Sequence, residues 1–528
     1  MVEIYDTTLR DGAQAEGISF SFEDKLLIAR RLDDLGVAFI EAGWPNPTSP
    51  KDLEVFERLR QESFEHAQVV AFGSTHKVNR TPENDEGLAT LLKAGTKHVT
   101  IFGKSWNLHV TKVLGTTLTN NLRLIEFSVR FLKDQGRRVC YDAEHFFDGY
   151  RADKDYALET LRAALDGGAS VIVLCDTRGC TRTSILQNII RDVRRQFGGV
   201  QFGIHTHNDI GLAVSNTIAA VELGMEQVQC TVNGYGERCG NADLCTVAPV
   251  LELGMDIRCL APDGLEQLTD FSRFVSEVAN IAPDRWQPFV GESAFAHKGG
   301  VHADAMVKCS ESYQHCDPAL VGNQGRLVTS EQSGRATLLA KLQHLFPGMD
   351  KASEPVRKLL EQLKLLESQG YSFETADASV EVLACKMLGM YRDPFHLIGF
   401  RTVDQKTADG IEAEAVVRLV VNGETYHTVA AAIGPVDALD MALRQGLEQV
   451  YPCLKLVHLV DYKVRVLANG QEGTAAKVRV LIESEDEHHT WGTVGVSENI
   501  IEASWLALVD SLSYKLLKEG VDISEAHV

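Results

Sequence analysis

The sequence predicts an α/β fold: a (β/α)₈ barrel, then a mostly helical connector, then an α+β C-terminal domain built from two pseudo-symmetric repeats. Three observations predict it. Between residues 2 and 236, short β-rich runs alternate eight times with amphipathic helical text. That rhythm stops near residue 275. Beyond residue 391 the chain repeats itself. The expected domains are 1–275, 276–390 and 391–528. The 528 residues leave room for about three such units.

The eight runs are VEIYDTT (2–8), AFIEAGWP (38–45), QVVAFG (68–73), HVTIFG (98–103), RRVCYDAEH (137–145), SVIVLCDT (170–177), FGIHTH (202–207) and QVQCTVNGYG (227–236). Helical segments such as FEDKLLIARRLDDLG (22–36) and DYALETLRAALDGG (155–168) separate them. Strands apolar on both faces, each followed by a helix, imply a parallel sheet. Eight βα units are the count that closes a barrel. An open doubly wound sheet usually has fewer strands and a Gly-rich phosphate loop after the first. Here the first run leads into DTTLRDG, which has no such loop.

The connector mixes a polar, glycine-rich stretch (FAHKGGVHADA, 295–305) with helical text (333–346 and 354–368). In the tail, 417–447 resembles 478–512. At an offset of 65, Thr425, Tyr426, Thr428, Val429, Ala438, Ala442 and Leu443 align with Thr490, Trp491, Thr493, Val494, Ala503, Ala507 and Leu508. Each copy reads as strands joined by a turn, then a helix, and Asn422-Gly423 is a strong hairpin signal. No catalytic cluster stands out there, so the tail reads as regulatory or dimerising.

Composition narrows the partners. A net charge of −21 argues against non-specific binding to nucleic acid or an anionic membrane. Eleven cysteines without a CxxC pair read as reduced, buried cysteines of a cytoplasmic protein. No signal peptide opens the chain, and no apolar run approaches the ~20 residues of a membrane span.

Polar residues gather where the runs end: Arg10 and Asp11, Glu41 and Trp44, Glu144 and His145, Asp176 and Thr177, His205 and His207, Asn233 and Asn241. Barrel active sites lie at that end of the strands, so the clustering argues for an enzyme. Side chains two apart on a strand share a side, so His205 and His207 face together and suit a divalent metal. Solvated or core histidines are the alternative for an isolated HxH. An N/O donor set without cysteine favours Mn²⁺ or Mg²⁺, with Zn²⁺ a third option.

At these residues the chain resembles a known family. DTTLRDG (6–12), HTHND (205–209) and NGYGERCGN (233–241) together resemble the Claisen-condensing branch of the DRE-TIM metallolyases, which holds the 2-isopropylmalate, homocitrate and citramalate synthases. GGVHADA (299–305) and SGRA (333–336) extend the resemblance, as does a tail similar to the regulatory domain of the leucine-type enzymes. The resemblance implies metal ligands at Asp11, His205, His207 and Asn241. It implies that Arg10 polarises the ketone and the developing alkoxide, that the family's strand-5 glutamate falls on Glu144, a candidate base, and that Thr177 holds the acceptor carboxylate. It implies that His302, Asp304 and Tyr313 reach over a barrel, that of a partner subunit, and help activate acetyl-CoA. The chain departs from the pattern at Gln332, where relatives often have histidine.

EAGWPNPTSPKD (41–52) and DGAQAEGISFSFEDK (11–25) resemble the citramalate-synthase group. That resemblance implies pyruvate as acceptor, a homodimer, and isoleucine as the amino-acid effector of the tail. Trp44, if it points inward, would shrink the acceptor pocket toward a methyl-sized group; packing against a loop is its other reading. Three alternatives stay open: an isopropylmalate or homocitrate synthase using another 2-oxo acid, a carbon–carbon lyase or aldolase on the same barrel, and a non-catalytic amino-acid sensor.

Overall fold

A computed structural model describes residues 2–47, 50–297, 302, 305–306, 308–327, 342, 353–391, 393–406, 410–467 and 476–520. Eight parallel strands close into a barrel in sequence order: β1 (Glu3–Asp6), β2 (Phe39–Gly43), β3 (Gln68–Ser74), β4 (His98–Lys104), β5 (Arg138–Glu144), β6 (Val171–Asp176), β7 (Phe202–Thr206) and β8 (Gln227–Cys230). The ring closes where β1 pairs with β8, Glu3 opposite Gln227 and Tyr5 opposite Gln229. Every residue of VIVLCD in β6 is buried, as a strand covered on both faces requires.

The intervening helices follow their apolar spacing. Thr183–Gln196 buries Leu186, Ile189, Ile190 and Val193, one stripe at i, i+3, i+4 and i+7. Phe22–Leu35 opens on a capping box between Ser21 and Asp24 and stops at Gly36 with φ 89°. A side chain there would meet the backbone nitrogen of Ala261 at 2.3 Å, so this helix end is closed to anything larger.

The eighth run is shorter as a strand than as sequence. β8 ends at Cys230, and Val232–Gly234 forms a 3-10 turn with Asn233 at φ 59°. The Asn233 amide there donates to the Ser272 carbonyl and the Ser276 hydroxyl, which removes this stretch from the ladder.

The chain forms two compact units, residues 1–295 with 316–325, and 296–315 with 326–528. The first contains the barrel. In the second, helices Glu354–Ser368 and Asp377–Met387 precede two three-stranded antiparallel sheets. One sheet holds His396–Lys406, Ile411–Val421 and Glu424–Ala432 and is followed by helix Pro435–Leu447. The other holds His458–Val466, Val478–Glu485 and Thr490–Ser497 and is followed by helix Ile500–Lys518. The repeat extends to single hydrogen bonds. The Thr428 hydroxyl donates to the Ala442 carbonyl at 2.7 Å, and 65 residues on Thr493 donates to Ala507 at 2.9 Å. Asn422 and Gly423, both at positive φ, make the expected hairpin turn. The helical text at 333–346 lies outside the described residues except Leu342, which is buried. Among the described residues, no helix is long and apolar enough to cross a membrane.

Candidate active site

Asp11 sits in the turn after β1, its backbone N–H bonded to the Thr7 carbonyl. His205 is the penultimate residue of β7, and His207 bridges to Asn241 just past the strand. These four residues, drawn from across the first unit, converge in its buried interior. The two Nε2 atoms stand 3.1 Å apart, and Asp11 Oδ2 is 3.3 Å from that of His205. The ligand atoms of Asp11, His205 and His207 all lie within 4.8 Å of one another. Asn241 donates its amide to Asp11 Oδ2 at 2.9 Å.

Electrostatics favour a cation here. Burial pushes both imidazoles down, His207 to about 3, so each keeps a lone pair to offer. Burial alone would raise the Asp11 carboxyl; Arg10, then His205 and His207, outweigh it and hold it well below the usual carboxylate range. His207 Nδ1 and Asn241 Oδ1 are buried with no hydrogen-bond partner. Two neutral imidazoles, a carboxylate and an amide with unused valence fit a divalent cation of the Mn²⁺, Mg²⁺ or Zn²⁺ type.

Arg10 is locked beside this cluster. Its Nε donates to Glu41 Oε1 at 2.6 Å, its NH1 is 3.4 Å from Asp11 Oδ1, and its guanidinium lies 3.9 Å over the Phe72 ring. Glu41 in turn accepts from the Tyr5 hydroxyl at 2.6 Å. At 12% side-chain exposure Arg10 is no surface ion pair.

A cleft of about 190 Å³ opens over these groups and is lined on one side by Trp44, Phe72 and Phe102. Phe72 and Phe102 stack at 5.5 Å, and Trp44 meets both edge-on, at 5.6 and 5.4 Å. Trp44 therefore forms part of the cleft wall with these two rings. The cleft is also lined by Glu144, ion-paired to Lys104, and by Thr177, whose hydroxyl accepts from the His145 N–H at 2.8 Å.

Other polar residues near the strand ends do structural work. Asp6 binds Thr8, Asp176 binds Thr181, and Asn233 ties its turn to helix Leu268–Val278. His302 and Tyr313 belong to the second unit, where their rings stack at 4.4 Å and both are exposed. Asp304 and Gln332 lie outside the described residues.

Sequence reasoning missed Phe72, Phe102, Asp142 and Gln229, all on or beside the cleft. Gln229 Oε1 lies 2.8 Å from His205 Nδ1, and Gln229 Nε2 donates to Asp142 Oδ1 at 3.0 Å. Burial pushes the Asp142 carboxyl up to about 8, with Glu41 adding to it. The available signal was polar residues set inside apolar strands, Asp142 in VCYDAE and Gln229 in QVQC.

A closed parallel barrel with a histidine–carboxylate cluster at its mouth defines a barrel enzyme with a candidate metal centre. Residues 1–275 match the HMGL-like family model, 289–370 the homocitrate synthase post-HMGL domain-like model, and 374–516 the LeuA allosteric (dimerisation) domain. The chain belongs to the HMGL-like family, within the DRE-TIM metallolyases. It is 50% identical over 520 residues to an (R)-citramalate synthase of Geobacter sulfurreducens and 48% identical to one of Aquifex aeolicus, with 98% of each chain covered in both comparisons. A 2-isopropylmalate synthase of Methanocaldococcus jannaschii is 30% identical over 98% of this chain and 95% of its own.

Proposed function

We propose that this chain condenses acetyl-CoA with pyruvate and water, giving citramalate and CoA. The observation that carries the reading is the cluster of Asp11, His205 and His207 opening onto a cleft walled by three aromatic rings. The 44–50% identity to (R)-citramalate synthases over nearly the whole chain supports the acceptor.

Asp11, His205, His207 and Asn241 would hold the cation, Mn²⁺ or Mg²⁺ first, with Zn²⁺ as the third option. When bound, it supplies a Lewis acid and a template for the 2-oxo acid. Thr177 holds the acceptor carboxylate through its hydroxyl. Trp44, Phe72 and Phe102 surround the acceptor methyl and leave little room for a longer chain. Arg10, fixed by Glu41 and Phe72, directs its remaining N–H groups at the oxygen that becomes an alkoxide.

A base removes one proton from the acetyl methyl group; Glu144 and the His302/Asp304 pair are the candidates, with Tyr313, which stacks on His302, in support. The new carbon–carbon bond forms at the ketone carbon, and the alkoxide takes up a proton. Water then cleaves the thioester and frees the CoA thiol. The protein acts as a homodimer, and the tail binds an amino-acid effector, isoleucine first; the LeuA-type match supports both. Eleven free cysteines suit the cytoplasm.

The test is an acceptor screen with acetyl-CoA and Mn²⁺, following free thiol with pyruvate, 2-oxobutyrate, 2-oxoisovalerate and 2-oxoglutarate. Fastest turnover with pyruvate is expected. Turnover only with 2-oxoisovalerate or 2-oxoglutarate would make the chain an isopropylmalate or homocitrate synthase, and no thiol release would revive the lyase.

A further inference from the structure

The candidate metal centre has a polar support that none of the matched names assigns. Gln229 is completely buried on β8, level with His205 on β7. Its amide is held at both ends: Nε2 donates to Asp142 Oδ1 at 3.0 Å, and Oε1 meets His205 Nδ1 at 2.8 Å. An amide oxygen only accepts, so the His205 proton must sit on Nδ1. Nε2 is then bare, and it is the atom facing His207 and Asp11.

We propose that Gln229 and Asp142 are a positioning pair: Asp142 fixes the direction of the Gln229 amide, and Gln229 fixes the His205 ring with its Nε2 lone pair turned toward the cation site. The inference rests on the metal reading above. The logic is directional. Asp142 Oδ1 accepts whether or not Oδ2 carries a proton, so the amide has one preferred orientation. Were the amide reversed, its NH₂ would face His205 Nδ1 and select the other tautomer. That tautomer carries a proton on Nε2, where a metal bond must form. Outer partners of this kind commonly alter metal affinity 10–100-fold when removed.

The test is Mn²⁺ affinity of the full-length chain stripped of metal, read from the electron paramagnetic resonance signal of free Mn²⁺. Gln229→Leu is expected to weaken binding about 10–100-fold. Asp142→Leu is expected to weaken it in the same direction. Asp142→Asn, whose own amide oxygen accepts from Gln229, is expected to restore near-normal binding. Nitrogen-15 spectra of histidine-labelled, metal-free chain supply a readout that needs no folded variant of either residue. With the His205 ring signals assigned by their loss in His205→Gln, they should show Nδ1 protonated and Nε2 bare. A His205 proton on Nε2, or a folded Gln229→Leu that binds Mn²⁺ as well as the parent, overturns the pair's role alone. Failure of the unaltered chain to bind Mn²⁺ overturns the metal reading itself.

Discussion

Arg10 shows how much of one residue's chemistry is set by neighbours far away in the chain. Its charge is local to DTTLRDG, but its aim comes from Glu41 on β2 and the Phe72 ring on β3. Lysine would keep the charge and lose both the fork and the stacking. We expect Arg10→Lys to lower kcat/KM about 10²–10³-fold in the thiol-release assay, with Mn²⁺ affinity retained. A drop of less than tenfold would show that the guanidinium geometry is idle. On the proposed reading, Trp44 sets selectivity instead. Trp44→Leu opens the wall, and kcat/KM for 2-oxobutyrate relative to pyruvate should rise about tenfold, the scale of one methylene in an apolar pocket. An unmoved ratio would assign size selection to Phe72 and Phe102 alone. The residues of the Asp11, His205 and His207 cluster were legible because each lies in a short string with its own chemical signature. Phe72, Phe102 and Gln229 were not: an aromatic or amide inside an apolar strand acquires a role only when closure of the ring decides what it faces.

Turns and strands carry the next level. The 233–241 turn brings Asn241 into place, and Gly236 makes that possible: a side chain there would stand 2.0 Å from Asn241 Oδ1. Gly236→Ala should therefore displace Asn241 and weaken Mn²⁺ binding about tenfold or more, measured by the same resonance titration; unchanged affinity would remove Asn241 from the ligand set. In the tail, Asp510 on helix Ile500–Lys518 accepts from the Ser379 hydroxyl at 2.7 Å, and burial pushes its carboxyl up to about 6. The folded state thus holds a proton that the unfolded chain, with Asp near 3.9, releases. Stability from this group is full below about pH 4 and is lost as pH rises through about 6. Asp510→Asn should match the parent near pH 4 and exceed it by about 3 kcal/mol above pH 6 in urea unfolding. A gain that shrinks with rising pH would contradict this. At this scale the sequence spoke clearly where period and repetition did: eight runs became eight strands, and the repeat at offset 65 returned as paired threonine bonds. It overshot at β8, because Asn233 and Gly234 take up left-handed backbone that apolar periodicity does not register.

For the molecule as a whole, the assembly decides which barrel the connector serves. His302 and Tyr313 stack on each other and are both exposed. The chain ends in a match to a dimerisation domain, and a twofold assembly gives each copy's connector an identical second barrel to reach. If His302 acts on the partner's site, Arg10→Ala and His302→Ala chains should each be inactive alone and active together. Random pairing at equal amounts makes half the dimers mixed, and each mixed dimer regains one intact site, so about a quarter of the parent rate should return. Co-expression with two affinity tags isolates the mixed dimer, whose rate should reach about half the parent value. Single variants that stay inactive in a verified mixed dimer would place His302 over its own barrel, because in that arrangement every site in the mixture lacks either Arg10 or His302.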